Sequence, residues 1–182
     1  QAATPRVRSP YRTYQKPAQT MSISLSTMAL PLMPTVLYVD DEEGNRQAFT
    51  SSFRRSFRVF TASSLQEAWE ILTKNEVHVV LSDQRMPGTM GTDLLRLVRE
   101  RFPQVKRMLV TGYSDLQAVV DAINHCGVTK YIAKPWDPAC MLTAIQDAFA
   151  EIRRERDREA FTQQLEEANR QLEFALRQRL LS

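Results

Sequence analysis

The chain has 182 residues, 43% hydrophobic and 25% charged, which is typical of one soluble globular domain with extensions. The net charge of +3 comes from residues 1–34, which carry four basic residues and no acid, so it does not indicate a nucleic-acid-binding domain. Two cysteines without C-x-x-C spacing argue against disulfide and zinc sites and favour a reducing, cytoplasmic location. No apolar run approaches the roughly 20 residues that cross a bilayer, so no membrane partner is expected.

The N-terminal segment, residues 1–34, mixes Pro, Gln, Thr, Ser, Arg and Tyr without apolar periodicity. Such a segment buries too little surface to fold alone. We therefore predict a disordered or non-native N-terminal extension, with the folded domain beginning at Thr35.

Beyond Thr35, short apolar runs rich in β-branched residues alternate with segments of helical period, which is typical of βαβ units. The predicted strands are 36–39, 58–61, 77–82, 107–111 and 130–133. The predicted crossover helices are 45–56, 65–74, 93–101 and 115–124, and a last helix begins near Ala139. We expect an α/β fold with a five-stranded parallel sheet.

Carboxylates stand at the carboxyl ends of two of these strands, the edge at which parallel sheets bind ligands. Asp40 and Asp41 follow the first strand, and Asp83 follows the third. Alone, the acidic run also fits a solvated loop or a helix cap. Together, three carboxylates at neighbouring strand ends would repel one another, and a bound hard divalent cation would neutralise this repulsion. The sequence therefore predicts a Mg²⁺ site.

Lys134 and Thr111, at the ends of the fifth and fourth predicted strands, add a cation and a hydroxyl donor. Each alone fits an ordinary surface or strand position. Together with a metal ion, an ammonium group neutralises transferring oxygens while a carboxylate attacks phosphorus in line. The chain has no G-x-x-x-x-G-K-[ST] or G-x-G-x-x-G loop for a nucleotide, so the phosphoryl group is expected to arrive on another donor and to end on the protein.

Four motifs together resemble the receiver domain of bacterial two-component response regulators. They are Val39-Asp40-Asp41-Glu42, Leu81-Ser82-Asp83-Gln84-Arg85-Met86-Pro87-Gly88, Val110-Thr111-Gly112-Tyr113 and Tyr131-Ile132-Ala133-Lys134-Pro135-Trp136. The resemblance covers about residues 35–150. The motifs are similar to those of receivers attached to hydrogenase-type transcription activators and cyclic-di-GMP phosphodiesterases. The resemblance implies a flavodoxin-like, doubly wound sheet in the order 2-1-3-4-5 and a cis bond between Lys134 and Pro135.

The resemblance also implies roles for the acidic cluster. Asp83 would accept a phosphoryl group from a phosphohistidine on a sensor kinase. Asp41 would bind Mg²⁺ directly, Asp40 would act largely through water, and the backbone carbonyl of Arg85 would complete the protein ligands. Lys134 would pair with the phosphoryl oxygens.

Further residues would transmit and tune the signal. Thr111 and Tyr131 are implied as the switch pair, the hydroxyl moving toward the phosphoryl group and the ring turning inward behind it. The added charge would bias the face made by the fourth helix, fifth strand and fifth helix. Arg85 and Tyr113 occupy positions that tune access of water to the acyl phosphate, and we hypothesise that their bulk lengthens its lifetime.

The C-terminal segment, residues 151–182, keeps a helical composition well beyond what a crossover helix needs. Its apolar or small residues are spaced as an a/d seam: Phe161, Leu165, Ala168, Leu172 and Ala175. The run is short and preceded by a charged stretch, so a solvated single helix is the alternative. We expect a dimeric coiled-coil linker that passes the change to an output domain outside this sequence.

We interpret the chain as a signalling switch that catalyses only its own phosphorylation and dephosphorylation, with a histidine kinase or phosphotransfer protein as its partner. One alternative is a Mg²⁺-dependent phosphatase with an Asp nucleophile, although the D-x-D arrangement is absent because Gln84 and Arg85 follow Asp83. The other alternative is a degenerate receiver that serves only as a dimerisation scaffold. The regulated process, the cognate kinase and the lifetime of the phosphorylated state are not encoded in these motifs.

Overall fold

A parallel five-stranded sheet organises the chain in the computed structural model, which describes residues 33–112 and 115–180. The strands are β1 Thr35–Val39, β2 Arg58–Ala62, β3 Val79–Asp83, β4 Arg85–Met86, β5 Thr89–Met90, β6 Lys106–Thr111 and β7 Lys130–Ala133. The large sheet has the order β2-β1-β3-β6-β7 with all neighbours parallel, and β4 pairs with β5 in a separate antiparallel hairpin. Counted without the hairpin, this is the predicted order 2-1-3-4-5.

Helices cover both faces of the sheet. They are α1 Glu43–Phe53, α2 Leu65–Lys74, α3 Gly91–Arg101, α4 Leu116–Cys126 and α5 Pro138–Leu180. Side chains of α1 and α5 pack in one core cluster, and those of α2, α3 and α4 pack in the other. The prediction of a doubly wound α/β fold is confirmed. Among the described helices, none combines the length and the apolar character that a membrane crossing requires.

The central strands explain why the carboxylates converge. Every residue of β1 and β3 is buried, because helices cover both faces of a parallel sheet. Side chains alternate between the two cores, so that Leu37 and Val80 face α2, α3 and α4 while Tyr38 and Leu81 face α1 and α5. Because both faces of these strands are packed against helices, the strands are fixed in place. The carboxyl ends of neighbouring parallel strands therefore lie at the same edge of the sheet.

The β4–β5 hairpin was not predicted from the sequence. Its two strands have two residues each, which is too short for any periodic pattern. Pro87 and Gly88 form its turn, and Gly88 has a φ of 75°, in the left-handed region that favours glycine. The hairpin carries the chain from β3 directly into α3.

Helix α5 is continuous over 43 residues and changes its surroundings along its length. Its first part is buried up to Ile152, after which large apolar side chains become exposed. Ion pairs extend the contact of α5 with the rest of the domain by one more turn. They join Lys106 of β6 to Glu155 at 2.8 Å, and Glu76, between α2 and β3, to Arg156 at 2.9 Å. A boundary between a receiver domain at 35–150 and an extension at 151–182 remains a prediction.

Candidate functional site

Three carboxylates meet at the carboxyl edge of the sheet. Val39 and Ser82 are partners in the β1–β3 register, so Asp40 and Asp83 occupy the next positions of adjacent strands. One carboxylate oxygen from each of Asp40, Asp41 and Asp83 lies within 4.8 Å of the others. Asp40 and Asp83 are buried, and Asp41 is the most solvent-accessible of the three. The structure therefore brings together the acidic residues that the sequence singled out.

The carboxylate of Asp40 accepts hydrogen bonds on both oxygens. The hydroxyl of buried Tyr38 donates to Oδ2 over 2.8 Å, and the backbone N–H of Glu42 donates to Oδ1 over 2.9 Å. The Asn45 amide donates to Oδ1 and Oδ2 over 3.2 and 3.1 Å. Burial raises the pKa of Asp40, but these bonds and the Lys134 ammonium outweigh burial and hold the pKa below its usual value. The carboxylate is therefore ionised and fixed in place.

Asp41 is held differently. Its backbone carbonyl accepts a 2.8 Å hydrogen bond from Arg46, but its carboxylate accepts none from the residues that the structure describes. Three carboxylates face one ammonium group here, and hard oxygen donors of this kind fit Mg²⁺. Asp41 and Asp83 are suited to direct contact with the ion, whereas Asp40, whose lone pairs are largely taken, is suited to contact through water.

Lys134 joins the cluster from the end of β7. Its Nζ lies 2.7 Å from Oδ1 of Asp83 and 3.0 Å from Oδ2 of Asp40. Burial lowers the pKa of Lys134, but the two carboxylates outweigh burial and raise it, so the ammonium form persists. The backbone N–H of Lys134 donates to the Thr111 carbonyl over 2.8 Å, and the following bond to Pro135 is cis, as the sequence resemblance implied.

Asp83 is enclosed by the segment that follows it. Burial raises the pKa of Asp83, and the ammonium of Lys134 and the N–H of Arg85, 3.1 Å from Oδ2, offset this only in part. Helix α3 begins at Gly91, where a Cβ atom would overlap the backbone carbonyl of Asp83. The missing side chain lets α3 start directly against β3 and fixes the position of the Asp83 backbone.

The residues predicted to transmit and tune the signal lie in different environments. Thr111 is buried, and its hydroxyl donates to Oδ2 of Asp115 over 3.1 Å. Tyr131 is 54% exposed on β7. The Arg85 guanidinium lies 2.6 Å from Oδ1 of Asp115. Tyr113 lies outside the described residues, so its tuning role stays a prediction.

Sequence reasoning missed Tyr38, Asn45 and Asp115, which contact the predicted residues. A signal existed for Tyr38, because residues two apart along a strand share a face and Tyr38 precedes Asp40 by two. The Tyr38 ring stacks on Phe49 with centroids 4.3 Å apart. Burial and the nearby Asp40 carboxylate raise the pKa of Tyr38, so its hydroxyl remains a donor.

Comparison with known proteins identifies the family of the chain. Residues 36–146 match the model described as the response regulator receiver domain. The chain belongs to that family. Receiver domains act in two-component signalling, and phosphorylation and Mg²⁺ binding are expected of the family.

Two curated relatives are named as hydrogenase transcriptional regulatory protein HoxA. The protein from Cupriavidus necator is 40% identical over 114 residues, which are 63% of this chain and 24% of that protein. The protein from Bradyrhizobium diazoefficiens is 32% identical over 130 residues, which are 71% of this chain and 27% of that protein. This chain thus spans about a quarter of the length of these relatives.

Solved structures show the same fold. The signal receiver domain of an HD domain-containing protein from Pseudomonas fluorescens Pf-5 is 29% identical with a TM-score of 0.64, over 66% of this chain and 97% of that one. A response regulator receiver domain protein from Clostridium thermocellum is 30% identical with a TM-score of 0.62, over 65% of this chain and 96% of that one. Both matches cover nearly all of the solved chain.

Proposed function

We propose that this chain is a phosphorylation-dependent switch that accepts a phosphoryl group on Asp83 from a sensor histidine kinase or a phosphotransfer protein. One observation carries the proposal: Asp83 is buried at the end of β3, 2.7 Å from Lys134 and beside Asp40 and Asp41. A carboxylate among other carboxylates, paired with one ammonium, is suited to phosphoryl transfer with a divalent cation.

The chain's residues have separate tasks in this reaction. A carboxylate oxygen of Asp83 attacks phosphorus, and the O–P bond forms as the N–P bond of the phosphohistidine breaks and imidazole leaves. Lys134 pairs with the phosphoryl oxygens and stabilises their charge. Asp40 keeps Lys134 in place through its 3.0 Å ion pair. Bound Mg²⁺ supplies additional charge neutralisation at the phosphoryl oxygens.

The test is to incubate the full chain with Mg²⁺ and either acetyl phosphate or beryllofluoride and to count adducts by intact mass and by ¹⁹F NMR. We expect one phosphoryl group per chain, and none in Asp83→Asn. Asp93→Asn, an exposed carboxylate on α3, is the matched control and should be labelled like the parent. An adduct that persists in Asp83→Asn would contradict the proposal.

The same experiment separates the two alternatives. A degenerate scaffold gives no adduct in any variant. A phosphatase releases phosphate from many donors with turnover that continues after Asp83 is saturated, whereas the switch consumes acetyl phosphate only at the rate at which its own aspartyl phosphate hydrolyses.

We propose that the phosphorylated state is relayed through α4, β7 and α5 to the helical extension, which pairs with a second copy and serves an output unit. The seam residues Phe161, Leu165 and Leu172 are 67%, 54% and 66% exposed. At about 100° per residue, the seam lies on the opposite side of α5 from the buried face that ends at Ile152. Two extensions can therefore pair while both receiver domains stay outside the pair.

Light scattering on the full chain and on a chain ending at residue 152, each with and without beryllofluoride, tests the pairing. We expect a dimer for the full chain and loss of that dimer on truncation. Leu172→Ala, in the seam, should weaken the dimer. Phe174→Ala is its matched control, because Phe174 is 65% exposed but lies on the side of α5 away from the seam. A monomer in all four samples would contradict the coiled coil.

A further inference from the structure

A chain of polar contacts joins the segment next to the phosphoryl acceptor to the start of α4. Arg85 donates from Nη2 to Oδ1 of Asp115 over 2.6 Å and from Nε to Oδ1 and Oδ2 over 3.0 and 3.2 Å. Thr111 donates its hydroxyl to Oδ2 of the same carboxylate over 3.1 Å, a shorter contact than the 3.4 Å to the carbonyl of Gly112. Asp115 thus binds two residues that flank Asp83 from different strand ends.

The contacts at Asp115 lie near the surface. The Asp115 side chain is 12% exposed, whereas that of Arg85 is 68% exposed. Arg85 contacts the carboxylate through two nitrogens of its planar guanidinium, a geometry more specific than a single surface ion pair. The backbone N–H of Arg85 also donates to Asp83, so this group of contacts begins at the phosphoryl acceptor itself.

Thr111 has only one hydroxyl proton. While that proton is donated to Asp115, it is not available to an oxygen of a phosphoryl group on Asp83. The negative charge of Asp115 makes it a strong acceptor, because hydrogen bonds to ionised groups are about twice as strong as neutral ones. Asp115 and the phosphoryl group therefore compete for the same donor.

We propose that Asp115 is a positioning residue that holds the Thr111 hydroxyl away from Asp83, and that this Arg85–Asp115–Thr111 latch opens when Thr111 turns to the phosphoryl group. The inference rests on the proposed function of Asp83.

Opening the latch also affects helix α4. Asp115 immediately precedes the first residue of α4, and its backbone carbonyl accepts from the N–H of Val119 over 3.1 Å. When the Asp115 side chain loses its hydroxyl donor, the first turn of α4 loses a tie to the end of β6. Asp115 therefore links the state of Asp83 to the position of α4.

The test measures the affinity of the full chain for beryllofluoride in saturating Mg²⁺. Binding is monitored by the fluorescence of Trp136, which lies two residues from Lys134. Asp115→Ala should bind the anion more tightly by roughly tenfold, since one charge-assisted hydrogen bond no longer competes. In a Thr111→Ala background the same change should give no gain. In a Thr111→Ser background, which keeps the hydroxyl, the gain should return.

The matched control is Asp93→Ala, which removes a carboxylate that, like that of Asp115, pairs with an arginine, Arg96 at 2.9 Å. It should leave the affinity unchanged. Circular dichroism establishes whether each variant folds. If Asp115→Ala does not fold, Asp115→Asn, which keeps the shape and loses the charge, replaces it.

The outcomes separate the latch from the proposed function. If the parent forms no adduct, or if Asp83→Asn forms the same one, the proposed function is wrong and the latch with it. If the parent binds but Asp115→Ala binds no more tightly, the latch alone is wrong. A gain that persists in Thr111→Ala would be independent of the Thr111 hydroxyl and would also overturn the latch.

Discussion

The hydroxyl of Tyr38 donates a 2.8 Å hydrogen bond to Oδ2 of Asp40, so a fully buried aromatic residue of β1 holds the first carboxylate of the site. The same Oδ2 atom lies 3.0 Å from the Lys134 ammonium. The position of Lys134, and hence its 2.7 Å approach to Asp83, depends on a hydrogen bond made inside the core.

Tyr38→Phe should therefore destabilise the fold, by about 1–2 kcal/mol at pH 7, because a buried carboxylate loses one donor. The pKa of Asp40 is depressed in the fold, so its stabilising effect is present above its unfolded pKa and is lost as pH falls through the folded pKa. The cost of Tyr38→Phe should accordingly shrink in acid. Urea unfolding at neutral and acidic pH measures both. Tyr131→Phe, on a ring that is 54% exposed, is the control and should change stability very little.

Asp41→Ala should separate stability from metal binding. Its carboxylate accepts no hydrogen bond from the described residues and lies near two other carboxylates, so removing it relieves repulsion. Without Mg²⁺ the melting temperature should stay equal or rise. The increase in melting temperature that Mg²⁺ gives the parent should disappear, since ligand binding stabilises only a state that binds. Persistence of the full Mg²⁺ effect in Asp41→Ala would show that Asp41 is not a ligand.

Gly91→Ala should destabilise the chain by about 1–3 kcal/mol, the usual cost of overpacking. The new Cβ would overlap the backbone carbonyl of Asp83, so either β3 or the start of α3 must shift. Phosphorylation of Asp83 should also slow, because the acceptor moves with its backbone. Gly44→Ala on α1, where no atom lies within 4 Å of the new Cβ, is the control and should be neutral or stabilising. Equal stability of the two variants would contradict this account.

His78 should make stability depend on pH. Burial lowers the pKa of His78, and its Nδ1 accepts from the N–H of Thr35 over 3.0 Å, which requires that nitrogen to be unprotonated. The unfolded chain binds the proton below about pH 6.5, and the folded chain does so only at a lower pH. Stability should be full above the unfolded pKa and should fall as pH drops toward the folded pKa.

Urea unfolding between neutral and mildly acidic pH measures this dependence. The slope should be smaller in His78→Gln, which removes the titrating ring. Parallel curves for the parent and His78→Gln would count against the assignment.

Substitutions of two apolar residues of α5 should affect different quantities. Ile152 is 3% exposed, so Ile152→Ala should lower the free energy of unfolding by about 2–4 kcal/mol. Leu165 is 54% exposed, so Leu165→Ala should leave the stability of the sheet unchanged while weakening the dimer. Urea unfolding and sedimentation equilibrium measure the two quantities. If Leu165→Ala leaves the dimer intact, the seam is not its interface.

Much of the fold followed from the sequence because its signals are local. Alternation of β-branched runs with helical periods is contained in short windows, and it located all five strands of the large sheet. The β4–β5 hairpin escaped because a strand of two residues has no period. Of the site, Asp40, Asp83, Thr111 and Lys134 were found because each stands at a strand end, a position that the sheet's topology makes significant.

What the sequence by itself determined is the type of chemistry: carboxylates, one lysine and one threonine at strand ends in a parallel sheet. What only the tertiary structure decided is which partner each of them has. Tyr38 donates a hydrogen bond to Asp40, and Asp115 accepts hydrogen bonds from both Arg85 and Thr111. These pairings depend on how α1 and α4 pack against the sheet, and hydrogen bonds act over about 3 Å, a distance that residue spacing along the chain does not fix.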